Sequence, residues 1–266
     1  MELRHLALQA LACASWQDKH AVLDAMTPPG VALDPGAVLV PAQPIPGRPA
    51  RPLLVPPNQL RNRSVATIEG RAILLHALAH IEFNAINLAL DAVWRFPGLP
   101  QAFYRDWVGV AQEESLHFRL LEAHLARLGH DYGDFPAHDG LWEMAERTRD
   151  DLLARLALVP RTLEARGLDA CPLVRHKLAS VGDQEGAAII DIILRDEIGH
   201  VALGNKWYRW ECAQRGLDPV SAYARLALDY RAPALRGPLN MQARLAAGFA
   251  YEELEAIAPG VMPGRD

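Results

Sequence analysis

The sequence has few cysteines, no excess of basic residues and no long uninterrupted apolar run. Its three cysteines, Cys13, Cys171 and Cys212, stand far apart without C-x-x-C spacing, so we expect no disulfide framework and a reducing, cytoplasmic location. The formal net charge of -5 does not predict nucleic acid as the main partner. No run approaches the roughly 18 apolar residues that cross a bilayer, so we expect no membrane segment.

The composition is that of a folded chain, because half of the 266 residues are apolar and 22% are charged. At about 100–200 residues per domain, the length predicts one large domain with appended segments. We predict an N-terminal helix and proline-rich arm over 1–63, a helical core over 64–215 and a C-terminal helical extension over 216–266. The apolar N-terminus resembles a signal peptide, but Glu2 and Gln9 interrupt it, so an amphipathic helix over 2–26 is favoured.

The segment from Pro28 to Pro57 holds ten of the twenty prolines, which predicts an extended arm on the surface of the protein. Four arginines make the stretch between Asp34 and Glu69, which has no acid, locally basic: Arg48, Arg51, Arg61 and Arg63. Two interpretations stay open for this charge: the arm is held on an acidic surface of the protein, or it contacts an anionic ligand.

Helical periodicity dominates the rest of the chain, and no stretch alternates as a strand does, so the predicted class is all-α. The apolar stripes and the punctuating Gly and Pro residues predict helices over 64–94, 101–128, 141–166 (kinked or broken at Pro160 and closed by Gly167), 172–180, from Asp183 onward, from Asp218-Pro219 onward, and 240–256.

Several acids and histidines fall on the apolar faces of these helices. Glu82 lies on the apolar face of the 64–94 helix, and Glu114 and His117 share that of the 101–128 helix. An ionised carboxylate buried there costs several kcal/mol unless it is paired or bound to a metal. The Glu-x-x-His spacing sets a carboxylate and an imidazole one turn apart on one face, where they can grip one cation.

A second Glu-x-x-His pair, Glu197 and His200, lies on the apolar face of the helix after Asp183. The repeat extends further, because Glu82 precedes Glu114 by 32 residues and Glu164 precedes Glu197 by 33. Two helical hairpins would each supply one Glu and one Glu-x-x-His, which is the ligand pattern of a di-metal carboxylate site.

Glu164 is the least secure of the six predicted ligands. Gly167 follows it by only three residues, so the second hairpin must include the short 172–180 helix in its connection. Asp150 and Asp151 are the alternatives, although they fall earlier in the chain.

The predicted ligand set is Glu82, Glu114, His117, Glu164, Glu197 and His200. Four carboxylates and two imidazoles without thiolate suit two ions of iron, manganese or a mixed pair better than structural zinc, and two divalent ions would neutralise four Glu. The competing interpretation is a set of buried salt bridges with arginines such as Arg161, Arg166 or Arg195.

An acid precedes each Glu-x-x-His pair, at Glu113 and Asp196. We predict that these acids lie outside the ligand shell and accept a hydrogen bond from the ring N–H of a ligand histidine, the alternative being a solvated surface position. Glu113 could also replace Glu114 as the ligand. His76 and His80 lie off the Glu82 stripe and are predicted to be satisfied elsewhere.

These residues resemble a known group. The six ligands resemble those of the ferritin-like di-iron carboxylate superfamily. Five stretches, within about 60–215, resemble the bacterial ferritin-like family DUF455: His80–Glu82, Glu113–Phe118, Tyr132–Pro136, Val159–Asp169 and Asp196–Val201. The resemblance implies a four-helix bundle of two antiparallel hairpins joined by a long crossover, with the arm and the C-terminal helices outside the pattern.

The resemblance supplies no reaction, and three functions fit such a metal site. The first is an oxygen-activating di-metal oxidoreductase or hydroxylase that takes dioxygen and a small-molecule substrate. A more distant ferritin-like relative hydroxylates a modified tRNA base, and the basic arm leaves that variant open although the overall acidity speaks against it. The alternatives are a metal-stabilised structural or interaction protein and an iron-oxidising storage protein. We expect a homodimer.

Overall fold

Helices account for the regular secondary structure of the protein, in a computed structural model that describes residues 2–26, 31–60, 63–235 and 238–257. Within this part of the chain there is no strand beyond two isolated β-bridges, so the all-α prediction is confirmed. The α-helices are α1 (Leu3–Ala12), α2 (Trp16–Asp24), α3 (Ile68–Arg95), α4 (Gln101–Arg127), α5 (Gly140–Arg147), α6 (Leu152–Leu158), α7 (Arg166–Ser180), α8 (Gln184–Gln214), α9 (Pro219–Asp229), α10 (Met241–Ala246) and α11 (Tyr251–Ile257).

The chain divides into two compact units, Met1–Trp142 and Glu143–Asp266. In the first unit, the predicted single helix over 2–26 is wrong, because the backbone is extended between α1 and α2. Ser15 begins α2 as its N-cap, and its Oγ accepts a hydrogen bond from the backbone N–H of Asp18 at 3.2 Å.

The proline-rich arm runs extended through most of 31–60 and is held in place by charged side chains. The guanidinium group of Arg48 donates to both carboxylate oxygens of Asp139, at 2.8 and 2.7 Å. Buried Arg4 donates to the backbone carbonyl of Pro35 at 3.0 Å. For Arg48 the contact is with an acid of the protein itself, while the choice between the two interpretations of the arm as a whole stays open. Arg61 lies outside the described residues.

The first unit is built around the antiparallel hairpin of α3 and α4, close to the predicted bounds of 64–94 and 101–128. Thr67 caps α3 by accepting a hydrogen bond from the backbone N–H of Gly70 at 3.0 Å. Gly98, at φ +80°, lies in the turn between the two helices. α3 is the one helix of the described residues that is long and apolar enough to cross a membrane, but 72% of its most apolar window is buried inside the protein.

The second unit departs from prediction around Pro160. The helix expected over 141–166 is divided among α5, α6 and a π-helical turn, Val159–Glu164. Pro160 has no N–H to donate, and the ladder resumes with the π-type bond from the N–H of Ala165 to the carbonyl of Pro160, at 3.1 Å. The predicted break at Pro160 therefore takes the form of a widened turn.

Further along the second unit, two predicted boundaries are wrong. Gly167 does not close a helix and Pro172 does not open one, because both lie inside α7. α8 begins as predicted at Asp183, whose carboxylate accepts from the N–H of Gly186 at 2.9 Å. α9 begins as predicted after Asp218. The helix predicted over 240–256 is interrupted between α10 and α11, where Gly248 has φ +81°.

Candidate metal centre

In the first unit, α3 and α4 bring three of the predicted ligands together. Glu82 projects from α3, and Glu114 and His117 project one turn apart from α4. His117 Nδ1 lies 3.2 Å from Glu82 Oε2 and 3.4 Å from Glu114 Oε2. Because the hairpin is antiparallel, Glu82 and Glu114 lie at the same distance from the turn between the two helices, as their spacing of 32 residues predicted.

These three side chains are buried, with 4% of Glu82, 1% of Glu114 and none of His117 exposed. Burial raises the pKa of Glu82 well above its usual value, and the nearby Glu114 carboxylate raises it further. For His117, burial lowers the pKa, but hydrogen bonds with Glu114 and Glu82 outweigh it and raise the pKa to about 11. The metal-free site therefore retains protons that a divalent cation would replace.

The acid that precedes this pair has a different environment. Glu113 lies on an exposed position of α4, whereas Glu114 is buried with His117. Between the two alternatives for the ligand, the structure puts Glu114 in the cluster. The predicted contact of Glu113 with a ligand histidine stays a prediction.

His76 and His80 are satisfied in a separate network, as predicted, although the sequence did not identify their partners. The Tyr132 hydroxyl lies 2.8 Å from His80 Nδ1, and the carbonyl of His138 lies 3.1 Å from His80 Nε2. The N–H of Gly133 donates to His76 Nε2 at 2.9 Å. The polar loop after α4 thus covers the outer face of α3, and only the alternation of polar and aromatic residues in that loop hinted at it.

In the second unit, α8 carries the other Glu-x-x-His pair. His200 Nδ1 lies 3.7 Å from Glu197 Oε1, and 2% of His200 and 7% of Glu197 are exposed. The carboxylate of Asp196 accepts from the guanidinium group of Arg195 at 2.7 and 2.9 Å. The predicted bond of Asp196 to a ligand histidine stays a prediction.

Glu164, the sixth predicted ligand, is the last residue of the π-helical turn and is half-buried. Gly167 lies one turn later, at the start of α7, and a Cβ atom there would stand 4.0 Å from Cγ and Cδ of Glu197. The beginning of α7 therefore runs beside the Glu197 side chain. Whether Glu164 is a ligand stays a prediction.

In the first unit, three buried side chains, those of Glu82, Glu114 and His117, could hold a metal ion, because each offers one ligand atom and these atoms lie within 4.8 Å of one another. Glu164, Glu197 and His200 belong to the second unit, and their part in the site stays a prediction. Two carboxylates and one imidazole form an oxygen-rich donor set without thiolate, which fits a hard or borderline divalent cation.

The competing interpretation, buried salt bridges with arginines, loses Arg161, which donates to Glu253 at 2.9 Å and to Asn205 at 2.7 Å. Arg195 pairs with Asp196, and Arg166 is exposed. A cation from solution therefore suits the buried acids better than the Arg161 guanidinium group.

Comparison with known proteins agrees with the resemblance in part. The model of a family described as "Protein of unknown function (DUF455)" matches residues 5–255. The chain belongs to the DUF455 family. An uncharacterized protein of Haemophilus influenzae is 52% identical to it over an alignment of 226 residues, which covers 82% of this chain and 78% of that protein. No solved structure matches the sequence.

The DUF455 match extends beyond the 60–215 region in which the sequence motifs were found. It includes most of α1 and the proline-rich arm on one side, and α9, α10 and most of α11 on the other. In DUF455, therefore, these flanking segments are part of the family pattern and not additions to it.

Proposed function

We propose that this DUF455 protein is a di-metal carboxylate oxidoreductase of the ferritin-like type, which uses iron, manganese or a mixed pair to activate dioxygen for the oxidation of a small molecule. The observation that carries the proposal is the buried group of Glu82, Glu114 and His117 in the first unit, to which the proposal joins Glu197 of the second. Carboxylates in a shell of apolar side chains are unfavourable without a cation, and the helices present them without any thiolate.

The proposal adds Glu164 and His200 as ligands. Two facts in the second unit support this addition: His200 is buried one turn from Glu197, and the segment that begins at Gly167 runs along the Glu197 side chain. With six side chains, each of two metal ions would receive one Glu-x-x-His pair, and the four Glu would balance the charge of two divalent ions.

The metals would supply the one-electron steps that dioxygen needs. The chain's residues hold and enclose them. Glu82 and Glu114 flank His117 and orient its ring, and the apolar side chains of α3 and α4 keep bulk water away from the acids. The substrate, the homodimer and the division into 1–63, 64–215 and 216–266 stay predictions.

The test is metal analysis of the full-length protein purified without added metal, followed by addition of dioxygen to the ferrous-loaded protein. We expect two metal ions per chain and a visible absorption band after dioxygen is added. Glu114→Ala and His200→Ala should each lose one ion per chain and lower the melting temperature. Full metal occupancy in both variants would rule out the ligand assignment.

The same experiment separates the alternatives. A protein that binds metal but gives no optical change with dioxygen is a metal-stabilised structural protein. A large hollow particle in size-exclusion chromatography would favour iron storage.

A further inference from the structure

The second unit contains a buried guanidinium group that the proposed function does not use. Arg161 lies in the π-helical turn three residues before Glu164, and only 2% of it is exposed. Its Nη1 donates to Asn205 Oδ1 of α8 at 2.7 Å, and its Nη2 donates to Glu253 Oε1 of α11 at 2.9 Å. The group thus connects the turn to α8 and to the C-terminal segment (residues 238–257).

Three aromatic rings surround the same guanidinium group. Its central carbon lies 4.8 Å from the ring centres of Tyr208 and Phe249 and 5.5 Å from that of Tyr223. The flat cation is therefore held by hydrogen bonds at its edge and by rings at its faces, a geometry that a lysine could not reproduce.

Glu253, the acidic partner of Arg161, is itself held by several donors. Its Oε2 accepts from Arg209 at 2.6 Å and from the backbone N–H of Ala250 at 2.8 Å. Asn205, the other partner, donates to the carbonyl of Ala247 at 2.8 Å. The C-terminal segment is thereby fixed at Ala247 and at Glu253, on either side of Phe249.

An apolar cluster also joins the C-terminal segment to the residues that follow two of the predicted ligands in the chain. Ala165, which follows Glu164, and Val201, which follows His200, are fully buried. They belong to one cluster with residues of α7 and of the C-terminal segment: Leu168, Ala243, Ala247, Phe249 and Leu254. A second, partly buried ion pair, Arg244 with Asp169 at 2.6 Å, lies between α10 and α7.

A π-helical turn is rare, and Pro160 removes one of its hydrogen-bond donors, so contacts from outside must hold its register. We propose that Arg161 is a positioning residue: clamped by the C-terminal segment, it holds the turn in the register that presents Glu164 beside Glu197. The C-terminal segment thus controls metal binding at the Glu164, Glu197 and His200 half of the centre without supplying a ligand. This inference rests on the proposed function through Glu164.

The test uses three variants of the full-length protein, titrated with Co²⁺ as a visible probe and then challenged with a chelator. Glu253→Gln removes the charge that faces Arg161, and Glu255→Gln, an exposed position of the same helix, is the matched control. The double variant Arg161→Met, Glu253→Met replaces the ion pair by apolar side chains, so it removes the clamp without leaving either charge of the pair buried and unpaired.

We expect Glu253→Gln and the double variant to weaken Co²⁺ binding at one of two sites by about 10–100-fold, as the loss of groups that orient a ligand does. Chelator-driven loss from that site should accelerate, and the cobalt spectrum should change. Glu255→Gln should behave as the wild type. A double variant that folds and binds two Co²⁺ ions with the wild-type affinity and spectrum overturns the inference, even if Glu253→Gln fails to fold.

A fourth variant, Glu164→Gln, separates this inference from the proposed function. Loss of one Co²⁺ ion in Glu164→Gln together with wild-type behaviour of the double variant refutes the positioning role alone. Unchanged binding in Glu164→Gln, or no binding by the wild type, refutes the ligand assignment and the positioning role with it.

Discussion

Binding of a divalent cation by Glu82, Glu114 and His117 should release protons, and its affinity should rise with pH. Burial lowers the pKa of His117, but hydrogen bonds with the two carboxylates outweigh burial and raise the pKa to about 11. With that pKa, the ring is protonated at pH 7 in the metal-free protein. A ligand histidine must be neutral. Removing the proton at pH 7, four pH units below that pKa, costs about 5 kcal/mol of the metal-binding free energy.

The size of the effect follows from this proton count. His117 contributes close to one proton, and Glu82, whose pKa burial and Glu114 raise, contributes up to a second. Each displaced proton makes the apparent affinity rise about tenfold per pH unit, so His117 alone predicts an increase of about 100-fold between pH 6 and pH 8.

The stability of the metal-free protein should change in the opposite direction. A raised pKa favours the protonated folded state, so the His117 contribution is fully present below its unfolded pKa of about 6.5 and is lost as the pH rises through about 11. Denaturant unfolding without metal should therefore show His117 becoming less stabilising above neutral pH, while the metal-loaded protein becomes relatively more stable.

The assay is calorimetric titration with Mn²⁺ at pH 7 in two buffers of different ionisation enthalpy, which counts the protons released. His117→Gln should release about one proton fewer than the wild type. His124→Gln, a buried histidine on the same helix, is the matched control and should leave the count unchanged. Tight binding with no proton release, or an affinity that is constant from pH 6 to pH 8, would refute the reasoning.

Two further predictions concern stability. Gly204→Ala would set a Cβ atom 2.7 Å from Cβ of Pro160, so urea unfolding should show a free energy of unfolding lower by about 1–3 kcal/mol. In the control Gly199→Ala, in the same helix, the new Cβ atom meets no atom within 4 Å, and the free energy of unfolding should rise by up to about 1 kcal/mol. Equal effects of the two substitutions would contradict the close approach of α8 to the π-helical turn. Burial lowers the pKa of Lys19 to about 7, so the unfolded chain binds the extra proton between pH 7 and 10.5, and the free energy of unfolding should gain up to about 1.4 kcal/mol per pH unit there from this residue. Lys19→Met should remove that gain in urea unfolding at pH 7.5 and pH 9, and an unchanged slope would show that Lys19 is protonated in the fold.

Periodicity and caps made the long helices predictable. The bounds of α3 and α4 are within a few residues of those expected, because their apolar stripes are long and Pro and Gly residues mark the ends of the helices. Asp183 and Asp218 were recognised as caps from local chemistry alone. The shorter helices were predicted less well, since α1 and α2 are separated by three residues that carry no Gly or Pro signal.

Part of the candidate site also follows from sequence. A carboxylate at Glu82 and a Glu-x-x-His pair at Glu114 and His117 were predicted to meet because an antiparallel hairpin equalises their distance from the turn, and the structure puts His117 within 3.4 Å of both acids. Glu164 could not be placed in this way. Its position depends on how many residues the turn at Pro160 accommodates, and helical periodicity does not report a π-type bond.

The sequence by itself determined the all-α class, the long amphipathic helices and the Glu-x-x-His spacing on α4 and α8, because these depend on contacts between residues three or four positions apart. Only the tertiary structure decided which acids share a proton with His117, that Arg161 is committed to Glu253, and that Glu114 and not Glu113 is buried. These outcomes depend on contacts between residues distant in the chain, where burial and the nearest opposite charge set the energy of each group.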